Sequence, residues 1–188
     1  MKIVGIVGSI IGSKTKTAMD YLSKEIYEKY PEATYTLIDL ADYSVVFSDG
    51  RNYLEYEGDT GFVTKQIMEA DAIVIGTPIF QASIPATLKN IFDLLPVNAF
   101  RDKIVSILVT AGSSKHYLVA EQHLKPILAY MKGQIVQSIV FIEEKDFNRK
   151  EIINDDVFFR IERLVEDTVL LTKTYTNIRK ENEALYDF

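Results

Sequence analysis

The chain has 188 residues, which at about 150 per domain is one folding unit with a small surplus. Apolar residues make up 47% and charged residues 26%, enough to bury a core without disulfides or a structural metal. A net charge of −6 argues against nucleic acid or an acidic membrane as partner, and the lack of cysteine excludes thiol catalysis and Cys-ligated zinc.

In chain order, short Ile- and Val-rich runs alternate with longer amphipathic stretches. A first strand is expected at residues 3–7, a helix at 15–29 and a second strand at 34–40. Residues 43–58 lack periodicity and read as a long loop. A helix at 62–70 precedes the third strand, 72–76, and a helix at 84–95 precedes the fourth, 104–110. A helix at 115–131 leads to a fifth strand at 135–142. The last helix, at 155–174, places Val157, Phe158, Ile161, Leu164, Val165, Thr168 and Leu171 on one apolar face. The polar tail from residue 179 to 188 reads as loosely held. Strand runs apolar on both faces are the signature of buried parallel strands, and their alternation with helices calls for right-handed βαβ units. The expected architecture is α/β: a single domain over residues 1–188, with a doubly wound five-stranded parallel sheet and helices on both faces.

No apolar run approaches the roughly 18 residues of a membrane span. The opening MKIVGIVGSIIGSK is broken by Gly5, Gly8 and Ser9 and lacks a small-residue cleavage site, so a cytoplasmic protein is expected.

The strongest chemical signal is the run from Gly8 to Thr17, directly after the first strand and opening the first helix. Free backbone N–H groups and the positive end of a helix dipole attract phosphate there. Ser9, Ser13, Thr15 and Thr17 add hydroxyls, and Lys14 and Lys16 add charge; an ordinary Ser-capped βα turn is the rival reading. The spacing is neither a P-loop, since Gly12 is followed by Ser13, nor a dinucleotide GxGxxG. Hydroxyls around one terminal phosphate suit a mononucleotide such as FMN. In an open α/β sheet the ligand lies at the carboxyl ends of the strands. Two more segments end there: Thr77-Pro78-Ile79-Phe80-Gln81 after strand three, and Thr110-Ala111-Gly112-Ser113 after strand four. His116 and His123 lie outside any HExxH spacing, Asp39 and Asp42 suit a turn, and no G-x-S-x-G elbow occurs, so no metal ligand or catalytic side chain is assigned.

The stretch GTPIFQASIPATLKNIFDLLP resembles the signature of NADPH-dependent FMN reductases, a T-P-x-Y turn followed by small residues and an L-K-N-x-x-D-x-L helix. TAGSSKHYLVAEQHLKPILAYMKG is similar to the T-G-G-S turn and L-K-P-x-L helix of the same family, particularly its alkanesulfonate-linked members, and azoreductases share the first signature. The resemblance covers residues 1–142. It implies a flavodoxin-like fold, bound FMN, NADPH or NADH as reductant, and a homodimer or homotetramer. It would place Ser9, Ser13, Lys14, Thr15 and Thr17 at the FMN phosphate. Thr77, Pro78, Ile79, Phe80 and Gln81 would border the ring, with Thr110, Ala111, Gly112 and Ser113 at its other edge. Ile11 stands where the family often has arginine, leaving Lys14 or Lys16 to supply the cation. Phe80 replaces the tyrosine of T-P-x-Y. Gln122 stands where members that deliver free flavin often carry tyrosine, which favours FMN kept as a bound group.

The expected activity is FMN-dependent NAD(P)H oxidation. Hydride passes to flavin N5 and onward to a second small-molecule acceptor: flavin, quinone or azo compound. The alternative is a flavodoxin-type electron carrier, but neither loop beside the ring, 76–83 or 110–114, holds an acidic residue. Residues 1–19 hold Lys2, Lys14 and Lys16 and no acid, so positive charge is expected at the phosphate loop.

Overall fold

Residues 1–185 are described by a computed structural model, in which the Ile- and Val-rich runs become the central strands of a sheet, buried on both faces. Strands β1 (Lys2–Val7), β2 (Thr34–Asp39), β3 (Ala72–Pro78) and β4 (Ile104–Ala111) are all parallel and lie in the order β2-β1-β3-β4. Two short strands, β5 (Gln134–Ile135) and β6 (Val140–Glu143), both pair with β4 and form the far edge. This is the flavodoxin-like order, and its direction of winding reverses between β1 and β3. The period of two along each strand splits the core. Val4, Ile6, Ile73, Ile75, Ile107 and Val109 face α2 (Gly58–Met68), α3 (Ala86–Leu94) and α4 (Lys125–Tyr130). Ile3, Val7, Val74 and Leu108 face α1 (Lys14–Lys29) and α5 (Asp155–Ala184).

Three expectations need correction. The fifth strand is broken: β4 advances three residues from Val105 to Leu108 while the partner strand advances five, from Ile135 to Val140. The two extra residues bulge out of the ladder, as an edge strand allows. The expected helix over 115–131 is also interrupted. A short 3-10 turn, Ser114–His116, is followed by a π-helical turn, Ala120–Leu124, and only then by α4. Pro126 is the physical cause, because it has no N–H to offer the Gln122 carbonyl and its ring would collide with that carbonyl in a regular helix. Widening the turn resolves this, with the Lys125 N–H donating to the Ala120 carbonyl. Finally, α5 runs to Ala184, so most of the expected loose tail is helical. Arg179 pairs with Glu183 one turn on and with Asp102 at the start of β4, and the Tyr175 hydroxyl donates to Asp102 at 3.2 Å. Residues 186–188 of that tail lie outside the described residues.

The 43–58 segment holds a 3-10 turn at Tyr53–Glu55, and α2 begins earlier than expected. A small antiparallel hairpin not foreseen in the sequence, β7 (Phe147–Asn148) with β8 (Glu151–Ile152), follows β6. Among the described residues, no helix is long and apolar enough to cross a membrane, and no group of His, Asp and Glu is placed to hold a metal ion.

Helix α1 rests directly on the sheet at Gly76. A Cβ there would lie 2.5 Å from Met19 Cγ and 3.3 Å from Thr15 Cγ2, both on the first two turns of α1. Gly76→Ala is therefore expected to destabilise the fold by about 2 kcal/mol through overpacking. In a thermal melt Tm should fall by about 6 °C.

Candidate functional site

The loop between β1 and α1 is tied to the sheet before it reaches the helix. The Gly8 N–H donates to the Gly76 carbonyl at 2.8 Å, and the Thr87 hydroxyl donates to the Gly8 carbonyl at 2.7 Å. Ser9 is buried, and its hydroxyl donates to the Ile11 carbonyl at 2.7 Å while accepting the Ile11 N–H at 3.1 Å. Gly12 turns the chain at φ +89°, a left-handed conformation that favours glycine. Ser13 then stands at the N-cap of α1, yet its hydroxyl makes no capping bond. The rival reading of an ordinary Ser-capped turn therefore fails at this residue. The N–H groups of Lys14, Thr15 and Lys16 precede the first intrahelical donor, the Thr17 N–H that bonds the Ser13 carbonyl at 2.8 Å, and lie at the positive end of α1.

Thr15 fixes that helix end to the next loop. Its hydroxyl is buried 2.6 Å from the Thr110 hydroxyl at the end of β4. Beyond Thr110, Ala111 is half-buried and Gly112 exposed, and a Cβ on Gly112 would meet nothing within 4 Å. Among the described residues no packing contact demands glycine there. At the end of β3, Thr77 is fully buried and donates to the Pro78 carbonyl at 2.9 Å. A tight turn follows, closed by reciprocal bonds of 2.9 Å between Phe80 and Ser83. Gln81 and Ala82 carry it at φ 49° and 57°, with roughly 1–2 kcal/mol of strain at each for want of glycine. Phe80 is 39% exposed rather than core, and Ser83 Oγ lies 3.0 Å from His123 Nδ1.

Residues 11–15, 78–80 and 110–112 share one cavity of about 380 Å³ at the carboxyl ends of β1, β3 and β4. Of the residues expected from sequence, Ser13, Lys14, Thr15, Pro78, Ile79, Phe80, Thr110, Ala111 and Gly112 line it. Ser9, Thr17, Thr77, Gln81 and Ser113 stand beside it without lining it. Glu144 and Phe147 complete the wall, and no periodicity or motif flagged either one. They arrive on the strap after β6, which Asp146 anchors. Its carboxylate, 5% exposed, accepts the Glu143 N–H at 2.9 Å and the Asn154 amide at 2.8 Å.

The positive charge expected at the loop is matched by acids from elsewhere in the chain. Lys14 pairs with Glu144 and lies 5.7 Å from the Phe147 ring centroid, Lys16 pairs with Asp20, and Lys2 pairs with Glu69 at 2.8 Å. A larger hollow of about 570 Å³ lies under residues 53–69, but it includes none of the strand-end residues. There Tyr43 stacks on Phe62, and buried Tyr56 donates to Asp49 at 2.9 Å, so these tyrosines pack the loop. Asp39 accepts the Ala41 N–H at 3.1 Å, a turn role.

The profile of the family described as NADPH-dependent FMN reductase matches residues 1–147. The chain is 38% identical over 170 residues to an NAD(P)H-dependent FAD/FMN reductase of Geobacillus thermodenitrificans, covering 90% of this chain and 92% of the relative. Among solved structures, the apo form of an NADH:FMN oxidoreductase superposes with a TM-score of 0.74 at 25% identity, covering 90% of this chain and 88% of that one. The fold is also that of an NAD(P)H:acceptor oxidoreductase from Paracoccus denitrificans, with a TM-score of 0.74 at 15% identity, over 93% of this chain and 98% of that one.

The Thr15–Thr110 pair makes a double-mutant prediction. Thr15→Val or Thr110→Val alone strands one buried hydroxyl and should cost about 1–3 kcal/mol in urea denaturation. The double variant should recover most of that loss. Asp146 makes a pH prediction. Burial pushes its carboxyl up, but the Asn154 and Glu143 hydrogen bonds, with Arg160 and Lys145 nearby, hold it below the ordinary carboxylate range. A lowered folded pKa stabilises above the unfolded value of about 3.9 and is lost as the pH falls through the folded value. The stability advantage of wild type over Asp146→Asn should therefore be constant from neutral pH to about 4 and shrink below it.

Proposed function

The chain belongs to the NADPH-dependent FMN reductase family and is an FMN-dependent NAD(P)H oxidoreductase, and from that premise we propose which of its residues serve the reaction. When bound, FMN supplies the chemistry, accepting hydride at N5 and delivering the electrons onward. The observation that carries our assignment is a single cavity with two unlike ends: the donors at the start of α1 on one side and the open space above Gly112 on the other.

At the donor end, the Ser13 hydroxyl, the Lys14 ammonium and the N–H groups of Lys14, Thr15 and Lys16 hold the phosphate. Ser9 serves by shaping, since its two bonds to Ile11 keep the loop open toward the cavity. Thr15 contributes its N–H and, through Thr110, keeps the two ends of the site in register. At the other end Gly112 and Ala111 would border the planar ring on one edge and Pro78, Ile79 and Phe80 on the other. Thr77 and Gln81 act from behind that wall, Thr77 by its bond to Pro78 and Gln81 by carrying the strained turn that presents Phe80. Ser113, in extended backbone, continues the Gly112 edge. Backbone N–H groups of these loops would be the donors available to the ring heteroatoms and would tune its potential, and we assign no side chain as general acid or base.

The nicotinamide and the final acceptor occupy the same open face in turn, giving ping-pong kinetics, with flavin, quinone or azo compound as the acceptor class. Assembly into a homodimer or homotetramer would cover Val46, Phe47 and Leu54, each of which is exposed on the 43–57 segment, Phe47 at 79%.

Gly112→Leu separates this assignment from a folding role. Because nothing lies within 4 Å of the added Cβ, stability should stay within about 0.5 kcal/mol of wild type. FMN affinity should fall at least tenfold in a fluorescence titration, and FMN-dependent NADPH oxidation should fall with it. Unchanged FMN affinity in that variant would place the ring elsewhere.

A further inference from the structure

The cavity is built for an anion and yet holds a carboxylate at its mouth. Glu144 lines it and pairs with Lys14, among the described residues the one ammonium that lines it. The contact is no accident of a loose loop, because Glu144 is flanked by the capped turn that Asp146 anchors. With Lys16 committed to Asp20 as well, the loop retains N–H groups, hydroxyls and a helix end, but little uncompensated charge. A phosphate arriving at Ser13 and Lys14 must share or take over the ammonium that Glu144 holds. The Glu144 side chain is 62% exposed and the Lys14 side chain 29%, so the pair is solvated on the carboxylate side, and ion pairs near the surface are weak. The pair can therefore open, while the carboxylate stays nearby and repels the phosphate.

We propose that Glu144 is an affinity-setting residue: a resident anion that competes with the flavin phosphate for Lys14 and keeps bound FMN exchangeable with free FMN. This rests on the reading of the cavity as the FMN phosphate site. It acts against the Gln122 substitution, which by resemblance favours a retained cofactor. It also makes the site discriminate less sharply than its donors would allow between a flavin with a phosphate and one without.

The test is a binding measurement on the full chain, with FMN and with riboflavin, which has the same ring and no phosphate. Glu144→Gln keeps size and polarity and removes the charge, and at an exposed position it should leave the melting temperature unchanged. FMN should bind about tenfold more tightly to this variant, the scale of one unit charge removed from beside a dianion in a solvated site. Riboflavin affinity should not change. FMN affinity that is unchanged or weaker overturns the proposal, and so does equal tightening of both flavins, which would mean Glu144 acts on the ring. Lys14→Met tests the underlying reading separately. It should weaken FMN about tenfold and leave riboflavin alone. If FMN binds Lys14→Met as tightly as wild type, the phosphate lies elsewhere and the cavity assignment fails, whatever Glu144→Gln does.

Discussion

The site depends on one constraint, the close seating of helix α1 on the sheet where the strand order reverses. Gly76 removes the side chain that would hold Met19 and Thr15 away, and the buried Thr15–Thr110 hydroxyl pair then locks the first turn of α1 to the end of β4. Three separate chain segments are thereby brought to one edge. Gly8 is held to Gly76 by its N–H, so the loop leaving β1 starts from the same point. Loosening any of these contacts would separate the donor end of the cavity from its planar end. Fold and site thus share the same few residues, and glycine at 76 is needed for packing while no contact among the described residues requires glycine at 112.

Charge is arranged on a second principle. The lysines near the N-terminus form a positive segment by sequence, but each is answered by a carboxylate: Glu69, Glu144 or Asp20. Attraction for an anion then comes mainly from fixed dipoles, which are directional and need no desolvation of a free ammonium. In the proposed assignment, such a site would recognise a phosphate by shape and hydrogen bonding more than by net charge. The strained turn at Gln81 and Ala82 fits the same picture, since strain persists only where surrounding structure holds it, and here it sets the exposed Phe80 at the rim.

Much of this was legible in the residues themselves. Ile and Val runs apolar on both faces marked β1, β3 and β4, and the small and hydroxyl-bearing residues at the ends of β1, β3 and β4 marked most of the cavity, because both signals are local. What escaped was non-local. Glu144 meets Lys14 across 130 positions, from a strap whose short strands carry no periodic pattern. The break in the fifth strand comes from a mismatch in register with β4, which is invisible in either strand alone. The π-helical turn had a visible cause in Pro126, although the pattern of apolar residues around it still read as one helix. The end of α5 was misread for another reason: its residues are polar on all sides, and it is held by the pairs of Arg179 with Asp102 and Glu183 rather than by an apolar face.

The most direct measurement is a crystal structure of the FMN complex. The expected result is a phosphate within hydrogen-bonding distance of Ser13 and the N–H groups of Lys14, Thr15 and Lys16, with the ring between Phe80 and Gly112 and Lys14 turned from Glu144 toward the phosphate. FMN seated in the hollow under residues 53–69, or a phosphate making no contact with the first turn of α1, would contradict it.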